Sequence, residues 1–280
     1  MMKINFYDVE HGSCTHIITP NGKHIFVDIG SKADKSIVSH IRKKYPRLEK
    51  TDALIVTHPH SDHIYDLPSL YRNLKPDFFH RPRTAFDITP KKDTPLYREI
   101  ATYANKMNKE YKSLLLLSSS PLVSLHNGGV RFQILSPPSS ETTKDDLNTF
   151  SRIVVVQYKG YKFVLAGDNP KSIQQKMMDE DYCGIKSKIE GATVLLAPHH
   201  GRTGEFCEDF FKCVNPILSV VSDKSIVHST QEETSDVYKG RGVNFFGQDR
   251  YVLTTRHDGT ITFEVKGENN CGVYLKEEGY

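Results

Sequence analysis

A cluster of histidines directly after a short apolar run is the feature that most constrains this chain. The run Ala53–Val56 is too short for a helix and predicts a buried strand. Because Pro59 disfavours a helical conformation at His58, and residues two apart in an extended segment project to the same side, His58 and His60 can bind one ion. The potential metal ligands that follow the strand are His58, His60, Asp62 and His63.

Asp62 and His63 are expected to turn into the next element and to face a second ion close by. Imidazole nitrogens combined with a carboxylate suit zinc best, and manganese or iron are possible substitutes. A histidine-rich surface loop is the competing interpretation, but four ligands packed behind a buried strand argue against it. The segment therefore predicts a metal centre.

The segment Thr57–His63 resembles the His-x-His-x-Asp-His signature of the metallo-β-lactamase superfamily. Further segments, in the same order, resemble its ComEC/Rec2-like branch: Asp8–Ser13, Phe26–Gly30, Ala166–Asp168 and Pro198–Gly201. The resemblance implies an α+β fold in four layers (αββα), with two mixed β-sheets face to face and helices outside. It implies one domain over residues 1–280, with a possible insertion around residues 75–120.

The resemblance also supplies the remaining metal ligands. Asp168 follows Gly167 at the end of an apolar run, and the superfamily has its bridging carboxylate there. The Pro-His-His-Gly segment supplies the last histidine, which is either His199 or His200. We favour His199 as the ligand, with His200 orienting the substrate or donating a proton, because adjacent residues of an extended backbone point in opposite directions. Asp28 is expected to hydrogen-bond a ligand or a loop beside the metals.

One histidine of many superfamily hydrolases is missing, and Asn148–Ser151 lies at its place. Asn148 is expected to bind metal or substrate, with a structural turn as the alternative, and Ser151 is assigned to the substrate with it. Two residues that follow the histidine pair, Arg202 and Thr203, are expected to contact an anionic substrate.

His228 matches a site-facing histidine of the branch. The resemblance therefore implies that Asp62 orients the attacking water and that His200 or His228 protonates the leaving group. His11, in a turn near the site, is more simply explained as an exposed turn residue.

Other patterns predict elements of the fold. Asp34–Tyr45, Asp66–Leu74 and Thr94–Lys112 are expected to be helices. The turn signal of His126–Gly129 predicts a hairpin between strands Leu122–Leu125 and Val130–Leu135, which makes His126 a turn residue. Near the end of the sequence, Tyr251–Thr255 and Thr260–Val265 predict a closing hairpin.

Composition excludes several classes of protein. The net charge of +3 is too small to indicate a nucleic-acid binder by itself. Five scattered cysteines without CxxC spacing argue against a disulfide framework and a cysteine zinc finger. The first residues indicate a strand and not a signal peptide, and no apolar run is long enough for a membrane span. We expect a cytoplasmic protein without a membrane partner. A protein partner is possible, and the oligomeric state stays open.

The resemblance implies a metal-dependent hydrolase with two zinc ions that attacks its substrate through metal-bound hydroxide. A phosphodiester, with nucleic acid as the substrate partner, is the first expectation. It rests on the branch's kinship with DNA handling and on basic residues interleaved with aromatics in residues 71–92. A solvated face is the alternative for that stretch. Two alternative functions remain. One is a hydrolase of a small ester, lactone or phosphocholine-type substrate. The other is a catalytically weak binding protein, suggested by the missing histidine and by Glu10 and Ser13, which replace a Gly and an Asp of the branch's first motif.

Overall fold

The computed structural model describes residues 1–112, 119–224, 234–245 and 247–276. Within these residues, two large sheets are formed. The first has the strand order β15-β14-β1-β2-β3-β4-β5. Its strands are β1 (Met2–Phe6), β2 (Thr15–Ile18), β3 (His24–Val27), β4 (Thr51–Ile55), β5 (Pro76–His80), β14 (Ile261–Gly267) and β15 (Asn270–Leu275).

The second sheet has the order β13-β10-β9-β8-β7-β6. Its strands are β6 (Arg131–Leu135), β7 (Ile153–Tyr158), β8 (Tyr161–Leu165), β9 (Val194–Leu196), β10 (Leu218–Val221) and β13 (Val252–Thr254); β11 (Val243–Phe245) and β12 (Gln248–Arg250) pair separately. Both large sheets are mixed: β3, β4 and β5 are parallel in one, and β8, β9, β10 and β13 are parallel in the other.

The helices lie on the outer faces of the two sheets. Helices α1, α3 and α4 pack on the first sheet, and α5, α6 and α7 pack on the second. The helices are α1 (Ile37–Lys44), α2 (Ser61–Ile64), α3 (Leu67–Asn73), α4 (Pro95–Glu110), α5 (Lys171–Asp179), α6 (Ile185–Ile189), α7 (Glu208–Val214), α8 (Thr234–Val237) and α9 (Thr255–Asp258). The three expected helices 34–45, 66–74 and 94–112 are thus present, each slightly shorter than predicted.

Alternation along the strands explains why the layers form. In β4, Ala53 and Ile55 face the core between the sheets, whereas Leu54 packs on the helix side with Val56. All four are fully buried, which explains the continuous apolar run in the sequence. The structure therefore confirms the α+β fold of two mixed sheets flanked by helices. Whether residues 75–120 are an insertion stays a prediction; β5 within them pairs with β4 at the edge of the first sheet.

One predicted strand and one predicted strand pairing were wrong. Leu122–Leu125 is not a strand, because the Asn127 side chain bonds locally to Val130 N and to the carbonyl oxygens of Pro121 and Val130. The two segments of the expected closing hairpin also separate: β13 joins the second sheet beside β10, and β14 joins the first sheet beside β1. The short helix α9 lies between them, and its Asp258 accepts a hydrogen bond from Thr254 N. In the described ranges, no helix has the length and apolarity that crossing a membrane requires.

Candidate metal centre

The predicted ligands come from loops at strand ends in both sheets. The segment after β4 leads into α2, which carries Asp62 and His63. Asp168 follows β8, and the Pro198–Gly201 turn follows β9. Because β4 belongs to the first sheet while β8 and β9 belong to the second, the candidate centre lies where the two sheets meet at one edge.

Four side chains converge on one point. Asp62, His63, Asp168 and His200 each present a ligand atom within 4.8 Å of the others. His63 Nε2 lies 3.2 Å from Asp168 Oδ1, and His200 Nε2 lies 3.3 Å from Asp62 Oδ2 and 3.5 Å from Asp168 Oδ2. Imidazole and carboxylate groups in this arrangement are ligands that a divalent cation prefers.

His58 and His60 lie beside this cluster, on the same side of their loop as expected. Their Nε2 and Nδ1 atoms are 3.0 Å apart, and His58 Nε2 is 3.8 Å from Asp168 Oδ2. Asp168 therefore lies between His58 on one side and His63 and His200 on the other. That position is the one a carboxylate shared by two ions would need.

Asp28 fixes the orientation of His63, as the sequence predicts for a supporting residue. His63 Nδ1 donates a hydrogen bond of 2.7 Å to Asp28 Oδ2, which leaves Nε2 directed at Asp168. Thr57 donates to both carboxylate oxygens, from its backbone N to Oδ1 and from its Oγ1 to Oδ2. Such a carboxylate–histidine contact holds the ring and its tautomer in place for metal binding.

His200 is oriented in the same way by the backbone. Its Nδ1 donates a hydrogen bond of 2.9 Å to the Ser222 carbonyl oxygen, so Nε2 faces the centre. Ser222 Oγ in turn donates to the Gly12 carbonyl oxygen at 2.7 Å. The end of β10 and the loop after β1 thus both support His200.

The structure favours His200 over His199 as the ligand, contrary to our expectation. Both residues line the metal cavity, but His200 Nε2 lies within 3.5 Å of Asp62 and Asp168 and belongs to the four-residue cluster, whereas the Nδ1 atom of His199 lies 3.8 Å from Glu205 Oε1 without a hydrogen bond. Our prediction assumed an extended backbone, but both residues adopt left-handed conformations, with φ of 49° at His199 and 55° at His200. The residues therefore do not alternate as in a strand. Asp168 also belongs to the neighbourhood of His199, since its charge raises the pKa of that imidazole against the larger effect of burial, which lowers it.

The electrostatics of the cluster are those of a site for positive charge. Burial alone would raise the pKa of Asp168, but His63, His200 and His58 outweigh it and hold that pKa well below its usual range. Burial would likewise lower the pKa of His63, yet Asp168 and Asp28 raise it well above the ordinary value. The pKa of His200 is raised against burial by Asp168 and Asp62. Asp168 and Asp62 thus remain ionised because the neighbouring histidines supply positive charge that outweighs the effect of burial.

These residues fit a metal ion. Among the described residues, His63 Nε2, His199 Nδ1 and His200 Nε2 are buried and have no hydrogen-bond partner. Buried polar atoms without partners are costly unless a ligand satisfies them, and a cation would satisfy those of His63 and His200 while neutralising Asp62 and Asp168. Because neutral imidazole and ionised carboxylate are the forms that bind divalent metals, a cation would replace the protons that the raised pKa values of His63 and His200 otherwise keep on these rings.

The cluster opens into a cavity of about 460 Å³. Three cationic side chains line this cavity, namely Lys91, Arg202 and Lys224, and three carboxylates line it too, namely Glu10, Asp62 and Asp168. Lys224 is 3.8 Å from Glu10, whereas within the described ranges Lys91 and Arg202 have no carboxylate within ion-pair distance. Once bound cations neutralise Asp62 and Asp168, such a cavity suits an anionic substrate.

The predicted substrate residues divide into three groups. Arg202 lines the cavity, as does Asn148, whose Oδ1 is buried without a hydrogen-bond partner. Ser151 is fully buried, and its Oγ accepts a hydrogen bond from Asp168 N, so it positions the carboxylate and not, as expected, the substrate. Thr203 begins a short turn and is not among the residues that line the cavity. His228 lies outside the described residues.

Sequence reasoning missed the position of His11. His11 is an exposed turn residue, as expected, but it also belongs to the wall of the metal cavity, since its Nε2 is 3.6 Å from Asp62 Oδ2 and its ring centroid is 4.5 Å from that of His200. The available signal was the match of Asp8–Ser13 to a motif whose turn faces the site. Lys91 and Lys224 carried no comparable signal.

Three of the six Lys and Arg residues of segment 71–92 are occupied by intramolecular contacts, whereas Arg83 and Lys92 are exposed. Arg72 forms an ion pair with Glu99, and Lys75 forms one with Glu110. Arg81 is buried and donates to the carbonyl oxygens of Phe79, Asn108 and Tyr111. Of this segment, Lys91 lines the metal cavity. This arrangement fits the alternative interpretation of a solvated face better than a surface that binds successive phosphates.

The fold and the centre together define a class of protein. A family model described as the metallo-beta-lactamase superfamily matches residues 7–205, and the chain therefore belongs to this superfamily of metal-dependent hydrolases.

Solved structures agree with this assignment. The metallo-beta-lactamase fold protein YhfI from Bacillus subtilis is 14% identical, with a TM-score of 0.52, and the match covers 94% of this chain and 100% of that one. Zn²⁺-bound PqqB from Methylobacterium extorquens is 10% identical, with a TM-score of 0.51, and the match covers 95% and 100%. At these identities the likeness shows the fold alone. No curated protein matches the sequence.

Proposed function

We propose that this protein hydrolyses phosphodiesters at a centre that holds two divalent cations, with zinc as the metal. One observation carries the proposal: Asp62, His63, Asp168 and His200 converge beside a cavity whose lining includes Lys91, Arg202 and Lys224. The cluster supplies ligands for cations, and the cavity supplies positive charge for an anionic substrate. The Asp8–Ser13 and Pro198–Gly201 motifs support placing the chain in the ComEC-like branch.

Each ligand has a role in this proposal. His58 and His60 would hold one ion, and Asp62, His63 and His200 would hold the other. Asp168 lies between the two sets and would contact both ions. Its Oδ2 lies near His58 of one set and His200 of the other, and its Oδ1 lies near His63. Divalent ions held there would lower the pKa of a water molecule and polarise the phosphorus–oxygen bond under attack.

The protein's own residues position the substrate. Arg202 and Lys91 bind the non-bridging oxygens of the phosphate, since both line the cavity beside the ligands. Asn148 presents a buried amide to the same space and can hydrogen-bond the ester. His11 lies against Asp62 at the cavity wall, and because burial and the charge of His200 lower its pKa to about 4, its neutral ring can hydrogen-bond the leaving oxygen.

Nucleic acid belongs to this substrate class, but its recognition would rest on the cavity residues. Arg72, Lys75 and Arg81 are engaged elsewhere in the fold, so residues 71–92 offer Lys91 at the cavity and the exposed Arg83 and Lys92. The experiment compares a small diester, bis(p-nitrophenyl) phosphate, with single-stranded DNA. It uses zinc-loaded wild-type protein, Asp168→Ala, and Asp249→Ala as a control for an exposed aspartate away from the centre.

We expect about two ions per chain and diester cleavage that Asp168→Ala abolishes and Asp249→Ala retains. A steep fall of DNA cleavage with salt would identify a substrate held by several phosphates. Bound metal with hydrolysis of carboxylic esters or lactones, and none of diesters, would overturn the substrate class. A protein without metal and without activity would be a binding protein on this fold.

A further inference from the structure

A second cavity of about 310 Å³ opens beside the metal cavity. The two cavities share four lining residues, namely His60, Ser61, Lys91 and Tyr97. The second cavity therefore adjoins the metal cavity at the ligand His60. A group attached to a molecule at the centre has only these side chains between it and the second cavity.

The wall of the second cavity is mainly apolar. Ile64 from α2, Ile100 and Ala101 from α4, Ile88 from the preceding loop and Leu147 from the turn before β7 contribute to it. Ile64, Ile100 and Ala101 are buried in the fold, so this part of the wall is held by the core. Its volume lies at the lower end of the range for small-molecule sites, about 300–1,000 Å³, and suits one small group such as a single ring.

Charge differs between the two cavities. Lys144, Asp145 and Asp146 line only the second cavity, whereas Arg202 and Lys224 line only the metal cavity. Lys91 lies at the junction of the two. A second phosphate beyond the junction would therefore meet two carboxylates and one amine. The second cavity disfavours a further anion while offering apolar surface.

We infer that the second cavity binds an uncharged ring on the non-leaving side of the phosphodiester, such as an aryl group or a nucleobase. The inference rests on the proposed function, because it takes the phosphate at the metal centre as its starting point. It narrows the substrate to a small diester or a chain end, in which the ring is adjacent to the phosphate under attack. Lys91 contacts the phosphate at the junction and thereby aligns the two parts.

The test uses zinc-loaded protein and three p-nitrophenyl phosphodiesters that share one leaving group. Their second ester group is methyl, phenyl or choline. We expect kcat/KM for the phenyl ester to exceed that for the methyl ester about tenfold or more, because a buried ring removes apolar surface from water. In parallel, calorimetry compares phenylphosphonate with methylphosphonate, which gives a binding readout that needs no turnover.

Two variants change the cavity in opposite directions. Ala101→Phe fills it, and Leu147→Ala removes part of its apolar wall, so both should reduce the phenyl-to-methyl ratio to nearly one. Thr102→Phe is the matched control, because Thr102 is the neighbouring residue of α4 and is exposed to solvent. If Ala101→Phe does not fold, as judged by circular dichroism, Leu147→Ala still decides the question.

The outcomes separate the inference from the proposed function. Equal rates for all three esters, unchanged by either cavity variant, would overturn the inference and leave the phosphodiesterase intact. A preference for the choline ester would also overturn it, since the group would then be a cation. If no diester is cleaved but phenylphosphonate binds more tightly than methylphosphonate, and only the cavity variants remove that difference, the ring site stands and the proposed reaction fails.

Discussion

Asp28 Oδ2 lies 2.7 Å from His63 Nδ1, and both side chains are almost completely buried. The carboxylate fixes the ring so that Nε2 faces Asp168. Because Thr57 donates to both oxygens of Asp28, that carboxylate cannot easily reorient. A residue that touches no substrate thus determines which nitrogen of His63 is available to a metal.

Replacing this carboxylate should weaken metal binding. Asp28→Asn removes the charge that holds the His63 proton on Nδ1, and we expect the zinc affinity to fall by about 10–100-fold while the fold is kept. A competition titration against a chromophoric chelator measures the affinity. Asp66→Asn is the matched control, because Asp66 is another buried carboxyl group, bound to Ser36 and Val38 and not to a ligand. Equal affinities of Asp28→Asn and the wild type would contradict this role.

The two adjacent histidines should differ in their effect on metal content. His200→Ala removes a ring that contacts both Asp62 and Asp168, so we expect about one bound ion to be lost per chain. His199→Ala removes a ring that lies 3.8 Å from Glu205 and is not part of the four-residue cluster, so it should leave the metal content nearly unchanged. Elemental analysis after dialysis measures both variants. The reverse order would restore our original assignment of His199 as the ligand.

Gly30 should not tolerate a side chain. A Cβ there would lie within 3.0 Å of three backbone atoms: the carbonyl oxygens of Asp62 and Ser13, and Ser13 N. Because the backbone has to move, we expect Gly30→Ala to lower the free energy of unfolding by about 2–4 kcal/mol and to displace Asp62 from the centre. Denaturant unfolding and metal content measure the two effects. Gly204→Ala, at a position with open space, is the control, and equal stability of the two variants would refute the clash.

Asp66 should make the protein less stable at neutral pH than at mildly acidic pH. Burial raises the pKa of Asp66 from 3.8 to about 6, against the hydrogen bonds from Val38 and Ser36 that lower it. A raised carboxyl pKa means that the folded state keeps the proton more firmly. Its contribution to stability is therefore full below pH 3.8 and is lost as the pH rises through about 6, by roughly 3 kcal/mol in total.

Asp66→Asn removes that titration. Both hydrogen bonds end on Oδ2, and an amide oxygen can accept both. With chelator present, we expect the variant to be more stable than the wild type at pH 7.5, and the difference to shrink towards pH 4. Urea unfolding at several pH values tests this. A difference that does not depend on pH would show that Asp66 does not titrate in this range.

Much of the fold could be predicted because most strands and helices are encoded locally. The apolar run 53–56 and the expected helices 34–45, 66–74 and 94–112 each depend on a local pattern that determines the element whatever its neighbours are. The hairpin expected near the end of the sequence failed for the opposite reason. Local pattern predicts that β13 and β14 are strands, but only tertiary packing assigns them to different sheets. Likewise β5, between charged residues of segment 71–92, is a strand because it pairs with β4.

The centre shows the same division. The spacing of His58, His60, Asp62 and His63 reveals ligands because they share one loop. The choice between His199 and His200 depends on two left-handed backbone conformations, which no spacing indicates. His11 lines the cavity because the loop after β1 lies close to α2. That position depends on the close approach of Gly12 and Gly30 to the Asp62 backbone.

The ligands come from both sheets, and bound metal would therefore affect the stability and the degradation of the protein. A cation bound by Asp62, His63, Asp168 and His200 would cross-link the two halves of the sandwich at an edge where they otherwise meet through loops. Binding only to the folded chain, it would add to stability by mass action. Loss of the metal would then have two effects: the activity would stop, and the less stable chain would be more accessible to proteases. The cellular concentration of the protein would thus follow the supply of the ion.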